Sequence, residues 1–324
     1  MDRILVGTAS WTDKTLIDCG RFYPRKTMRA EERLRFYASR FPMVEVDSSY
    51  YAIPTPQNAQ LWAERTPPGF EFNVKAFRLF TGHQTSAAVL HQDLRPLLPA
   101  SLPEPFHYRH LPPELQDELW KRFIDALAPL REAGKLKAVH FQFAPWIVGG
   151  RPGRAHIAEC VERMAGHLVS VEFRHASWFE GRHADETLAF QRELGVVHTI
   201  VDAPQGFANT VPMVWAVTRP ELAIVRLHGR NRGTWNIRGA TSAADRFNYL
   251  YTDEELAQFV PSLRALGRQA QTVHVIFNNN MEDQAVVGGG KLMEMLGGFT
   301  VRNNSNTADI ADHPTLPFNP DIDN

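Results

Sequence analysis

The chain holds 324 residues, with 35 Lys+Arg against 36 Asp+Glu; the formal net charge of −1 excludes bulk electrostatic binding of nucleic acid and leaves that role to local basic patches. A hydrophobic content of 44% and a mean hydropathy of −0.30 are those of a folded globular protein, and no apolar run nears the ~20 residues that span a membrane. The length admits two ordinary domains of about 100–200 residues, or one α/β barrel of about 250 with insertions and a tail.

The amino end, Met1-Asp2-Arg3-Ile4-Leu5-Val6-Gly7, enters a strand pattern at once and lacks the apolar core and cleavage site of a secretory signal. Eight apolar runs rich in Val, Ile and Phe follow at 4–11, 43–51, 70–77, 137–146, 168–178, 196–204, 223–230 and 272–280. Most are continuously hydrophobic and end in polar residues, as parallel strands buried on both faces do. Helical patterns fall between most of them. Residues 30–41 place Leu34, Tyr37, Ala38 and Phe41 on one stripe, and Thr55-Pro56 reads as an N-cap with Pro at the first helical position. Residues 113–134, 183–194, 252–266 and 291–296 are similar, with Thr252 and Glu255 forming a capping box.

This alternation predicts an α/β fold: a TIM-type (β/α)8 barrel, one domain over 1–302, with a long proline-rich insertion at 84–118 after strand three. A doubly wound open sheet is the alternative, but no glycine-rich turn follows the first strand. Further length lies at 231–251, after strand seven, and in an acidic, proline-containing tail at 303–324. Two cysteines, Cys19 and Cys160, are too few for a disulfide framework or a four-cysteine zinc site, and a reduced, cytoplasmic protein is expected.

In such a barrel the site lies at the carboxyl ends of the strands, and residues two apart share a face. Those ends offer Glu45 and Asp47, Asn73 and Lys75, His140 and Gln142, Glu172 and Arg174, Asp202, Arg226 and His228 with Arg230 beyond, and Asn278 and Asn280. Charges inside apolar strands are costly unless paired, so their gathering at one end points to a ligand site; a purely structural ion-pair network is the competing reading.

The segments Gly7-Thr8-Ala9-Ser10-Trp11, Phe22-Tyr23-Pro24, Val44-Glu45-Val46-Asp47-Ser48-Ser49-Tyr50-Tyr51, 70–75, Val171-Glu172-Phe173-Arg174-His175-Ala176-Ser177-Trp178, Arg226-Leu227-His228-Gly229-Arg230 and Phe277-Asn278-Asn279 closely resemble the domain of unknown function 72 family, the YecE-like proteins, from about residue 3 to about 298. The resemblance implies a TIM-barrel-like fold and a shared site, and names no reaction. The chain departs from the family pattern in its long proline-rich segment and in Gly288-Gly289-Gly290.

From the residues, an enzyme acting on a polar, anionic small molecule such as a sugar phosphate or nucleotide fragment is the leading reading. Glu172 is the expected general acid/base, with Asp202 and His228 as partners; Lys75 and Glu45 are further candidates, the latter paired with Asp47 or Lys75. Arg174, Arg226 and Arg230 would hold the anion, and Asn278, Asn279 and Gln142 would hydrogen-bond it, with Asp47 and one of Tyr50 and Tyr51 facing it. Trp11, Trp146 and Trp178 follow strand ends and Trp235 lies in the strand-seven loop, so one or two of them are expected to stack on ligand. No cofactor motif is found; a divalent metal on Glu172, Asp202 and His228 is the alternative. The glycines before Lys291 suggest a helix N-terminus for an anion. Arg230, Arg232, Arg238 and Arg246 with Trp235, Tyr249 and Tyr251 suggest either a lid or a strip for single-stranded nucleic acid. A non-catalytic ligand-sensing barrel is the third reading.

Arg226 and His228 should both face inward, with Leu227 outward; Arg226 should meet Glu172 or Asp202, and His228 should reach ligand or solvent.

Overall fold

The computed structural model describes residues 3–236 and 243–298. Eight parallel strands close on themselves in chain order: β1 (Ile4–Ala9), β2 (Met43–Val46), β3 (Glu71–Lys75), β4 (Leu136–Gln142), β5 (Val169–Glu172), β6 (Val197–Asp202), β7 (Ala223–Leu227) and β8 (Val273–Phe277). This is the predicted TIM-type barrel. Each expected strand exists, but most end earlier than their apolar runs, because the last residues turn out of the sheet to build the mouth.

The helices are α1 (Lys14–Cys19), α2 (Ala30–Ala38), α3 (Ser48–Tyr51), α4 (Pro56–Glu64), α5 (Pro113–Glu132), α6 (Arg151–Arg163), α7 (His183–Leu194), α8 (Ala243–Arg246), α9 (Asp253–Gly267) and α10 (Gln284–Met295). Thr55 caps α4 through its side chain, and Thr252 with Glu255 forms the expected capping box on α9. Helix α6 carries no clear sequence signal, since Pro152 and Gly153 read as a turn; a Cβ at Gly153 would lie 2.3 Å from the Val148 carbonyl oxygen. Among the described residues, no helix joins β6 to β7.

The triple glycine lies inside α10, not before it. Its role is close packing: a Cβ at Gly288 would stand 2.8 Å from the Phe277 ring, and one at Gly289 would stand 3.0 Å from Phe41. Lys291 pairs with Asp253 of α9 at 2.7 Å. The glycines therefore bring helix and barrel together and present no helix N-terminus to an anion.

The insertion is a packed wall. Thr85 and Phe106 bridge it in antiparallel fashion, and Leu90, Leu94, Phe106 and Leu111 are buried beneath it. Arg122 of α5 clamps Asp93 with two hydrogen bonds of 2.9 and 2.6 Å. The tail expected at 303–324, the boundary at 302 and Arg238 lie outside the described residues.

Candidate functional site

Strand alternation sends Met43 and Ile276 into an apolar layer inside the barrel and Val44, Val46 and Leu227 outward against the helices. Glu45, Glu172, Arg226 and Asn278 follow the inward parity. Arg226 is the hub. One terminal nitrogen, Nη1, donates to Glu172 Oε2 at 2.6 Å and Gln142 Oε1 at 3.1 Å; the other, Nη2, donates to Glu45 Oε1 at 2.6 Å and Asn278 Oδ1 at 3.2 Å. The expectation for Arg226 and Leu227 is met, with Glu172 and not Asp202 as the carboxylate.

Burial alone would raise the Glu172 carboxyl, but the charge of Arg226, helped by the hydrogen bond from His228, overrides it and holds it well below the usual carboxylate range. Glu172 also accepts from Arg174 at 3.2 Å, and His140 Nε2 lies 3.5 Å away. It is enclosed and ionised, so it anchors its neighbours and has no proton to give as a general acid near neutral pH.

His228 lies between Glu172 and Asn278. Its Nε2 is 3.1 Å from Glu172 Oε1, and its Nδ1 is 2.8 Å from Asn278 Nδ2. Since the amide nitrogen can only donate, Nδ1 accepts and Nε2 carries the proton. Burial pushes the imidazole down to about 3, so this neutral tautomer persists. Contrary to expectation, His228 does not reach solvent: it is buried beneath Trp235 and Phe247.

Asp202 and Arg230 are elsewhere. Asp202 shares the parity of His198 and Ile200, whose side chains enter the outer layer, and it takes three hydrogen bonds of 3.0 Å from Arg230 and one of 2.7 Å from Tyr251. Arg230 leaves the inward face because the chain turns at Gly229 (φ 84), where a Cβ would stand 2.5 Å from Tyr249. Glu172, Asp202 and His228 thus do not converge, and among the described residues no group of three or more His, Cys, Asp or Glu is placed to hold a metal ion.

Above the buried cluster opens a cleft of about 680 Å³, lined by Asp47, Tyr50, Tyr51, Lys75, His83, Gln142, Trp146, Arg174, Arg246 and Asn278, among others. The Lys75 and Arg174 side chains are only 8% and 9% exposed, yet both face this space. Lys75 Nζ sits 2.6 Å from Asp47 Oδ1 and 4.5 Å from the Tyr50 ring centre; the carboxylate it pairs with is Asp47, while Glu45 belongs to Arg226. Burial would raise the Asp47 carboxyl, but Lys75 keeps it below its ordinary value. Arg174 lies over the Trp235 ring at 5.1 Å. Ser10, also on the rim, is held at φ 85, a strained left-handed conformation for a non-glycine residue.

Strand two ends at Val46, so Tyr50 and Tyr51 stand on one helical turn and both line the cleft. Of the four tryptophans considered, Trp146 faces the cleft, 55% exposed. Trp11 packs against Trp62, Trp178 stacks on Phe173, and Trp235 roofs Arg174 and His228, all three buried. Of the aromatic residues expected on the strand-seven loop, Trp235 and Tyr251 are buried and Tyr249 is half-buried. Asn279 donates to the Tyr249 carbonyl at 2.7 Å and steadies that loop.

His83 was not expected here. The backbone bond from Ala144 N–H to the Thr81 carbonyl ties the β3 and β4 loops together, setting the His83 ring between those of Tyr50 and Trp146 at 5.4 Å from each. Burial, with Arg78 and Lys75 nearby, pushes its imidazole down to about 3.

Fold and mouth together define an eight-stranded α/β barrel whose charged carboxyl end closes around a buried arginine and opens through a cationic cleft. The chain belongs to the DUF72 family: the model of this protein family of unknown function matches residues 5–309. It is 32% identical over 295 residues to the UPF0759 protein YunF of Bacillus subtilis (strain 168), covering 90% of this chain and 94% of that one. A crystal structure of a DUF72 family protein from Enterococcus faecalis V583 superposes with a TM-score of 0.76 at 26% identity, covering 94% of this chain and 100% of that one. One from Thermotoga maritima MSB8 gives 0.71 at 26%, covering 91% and 99%. Among the described residues, no helix is long and apolar enough to cross a membrane.

Proposed function

We propose that the mouth binds a polar, anionic small molecule, a sugar phosphate or nucleotide fragment, and acts on it by acid–base chemistry. The observation that carries this reading is the pair of nearly buried cations, Lys75 and Arg174, facing one cleft. A desolvated guanidinium with a free edge suits a phosphate or carboxylate oxygen, and a nearby ammonium adds a point charge. Asp47, ionised beside Lys75, is the proton acceptor within reach of the cleft, and Lys75 and Arg174 stabilise negative charge that develops on the ligand. Glu172 and Arg226 act through others: they hold Arg174, Gln142 and Asn278 in place.

The test is calorimetric binding and turnover across phosphorylated sugars and nucleotide fragments. Lys75→Met and Arg174→Met should abolish binding, while Asp47→Asn should keep binding and lose turnover by about 10²–10⁴-fold. A wild-type protein that neither binds nor converts any anion of the panel would falsify this reading.

A further inference from the structure

A second cleft, of about 800 Å³, lies beside the mouth and is walled by the proline-rich insertion, α5, α6 and the loops after β3 and β4. Leu79, Gln84, Tyr108, Trp146, Ile147 and His156 are among its lining residues. Trp146 lines both clefts, so one indole separates and joins them. It is fixed there by donating from Nε1 to the Gly82 carbonyl at 3.0 Å. The opposite wall is equally set: Trp120 donates to Tyr108 Oη at 2.9 Å, and Gln116 donates to the Tyr108 carbonyl at 3.2 Å.

The chemistry of the two clefts differs. Lys75 and Arg174 face the mouth; in the second cleft the inner surface is aliphatic and aromatic, and its charged residues, Arg109 and Glu159, stand exposed at the rim. Of its other polar groups, the His156 imidazole is pushed down by burial and rests edge-on against Phe143 at 5.8 Å, while the exposed Gln84 is hydrogen-bonded to His107 at 3.1 Å. Flat apolar walls with neutral groups that donate and accept suit the face and edge of a heteroaromatic ring.

We infer that this cleft, built by the insertion, is a subsite for a heteroaromatic ring carried by the same ligand whose anionic group sits at Lys75 and Arg174, with Trp146 stacking on the ring between them. The inference rests on the anionic reading of the mouth and narrows its ligand to a ring-bearing phosphate or carboxylate.

Calorimetric titration with ribose 5-phosphate, AMP and adenosine tests it. AMP should bind at least about tenfold more tightly than ribose 5-phosphate, the scale of one ring stacked on an aromatic side chain. Glu159→Trp, a change at an exposed helix position, should fill the cleft and bring AMP down to the affinity of ribose 5-phosphate. Trp146→Ala should also remove the preference. Equal binding of AMP and ribose 5-phosphate to the intact protein, or a preference that survives both variants, overturns the subsite while leaving the mouth reading standing. Adenosine binding as tightly as AMP, with no binding of ribose 5-phosphate, supports the ring site and overturns the anionic reading. Failure of all three ligands to bind overturns both.

Discussion

At the amino end of the barrel, Glu71 of β3 meets Arg3 at 2.5 Å and His274 of β8 at 2.7 Å, and His274 also hydrogen-bonds to Asn73 at 3.3 Å. At the carboxyl end, Arg226 joins Glu45 and Glu172, but Lys75 and Arg174 keep a side toward a cleft. Both ends place charge inside a parallel barrel, where unpaired charge is strongly disfavoured. At the amino end the groups close on one another, and none of them lines the mouth cleft. What separates a structural ion pair from a candidate site is therefore not the number of charges but whether nearly buried charges are left facing a cleft.

The sharpest way to break this comparison is Arg226→Leu. It orphans the buried Glu45 and takes from Glu172 its shortest partner, so unfolding free energy should fall by roughly 3–5 kcal/mol in chemical denaturation. A change under about 1 kcal/mol would show that Glu45 and Glu172 find other partners and that the hub assignment is mistaken.

Acid should act next most strongly. His228 is held near 3 in the folded protein against an ordinary value of 6.5, so the unfolded chain takes the proton first. The stability it contributes is complete above about 6.5 and is lost as pH falls toward 3. Glu71, held near 2 against 4.5, adds a second loss as pH falls from 4.5 toward 2. Denaturation curves at pH 7, 5.5 and 4.5 should show falling stability, and His228→Asn should flatten the slope between the first two. An unchanged slope in that variant would mean that His228 is charged when folded.

Glu71→Gln comes third. It weakens the ties to Arg3 and His274 and should lower stability by about 1–3 kcal/mol, the penalty for under-satisfying buried polar groups. Phosphate titration of the same variant should match wild type, because the amino-end cluster has no part in the mouth. Arg174→Met should do the reverse. Glu172 keeps Arg226 and His228, so stability should move by about 1 kcal/mol or less, while anion binding disappears.

Much of this was legible in the sequence, and what was not has identifiable causes. Uninterrupted apolar runs such as 196–204 and 272–280 reveal strands because a parallel sheet is buried on both faces. The two-residue period correctly grouped Glu45 with Asp47 and Glu172 with Arg174, and set Leu227 against Arg226. The period gives which residues share a face but not which face it is, so Asp202 was expected inside and lies outside. It also fails where a strand ends: the turn at Gly229 redirects Arg230, and the helical turn from Ser48 brings both tyrosines to one side. Trp146 was among the tryptophans expected at strand ends, but His83 reaches the mouth through a loop-to-loop backbone bond, which leaves no periodic trace. In Gly288-Gly289-Gly290 a helix interior looked like a loop, because glycine's low helix propensity hides the close contact with Phe277 and Phe41 that requires it.

That last segment yields the smallest effect and a direct check. Read as a glycine loop before a helix, Gly288-Gly289-Gly290-Lys291 would make Lys291 part of an anion site. In the structure Lys291 lies midway along α10, its side chain 43% exposed and paired with Asp253 at 2.7 Å. An exposed pair of this kind contributes about 0–1 kcal/mol, screened by salt. Lys291→Ala should therefore shift the denaturation midpoint only slightly, by less in 0.5 M salt than in dilute buffer, and leave phosphate titration superimposable on wild type. Gly288→Ala should be the more damaging change despite lying three residues away, since its methyl would be driven into the Phe277 ring. If Lys291→Ala weakened phosphate binding as much as Arg174→Met, the anion would sit at α10, and the contrast between a closed end and an open end of the barrel would lose its functional meaning.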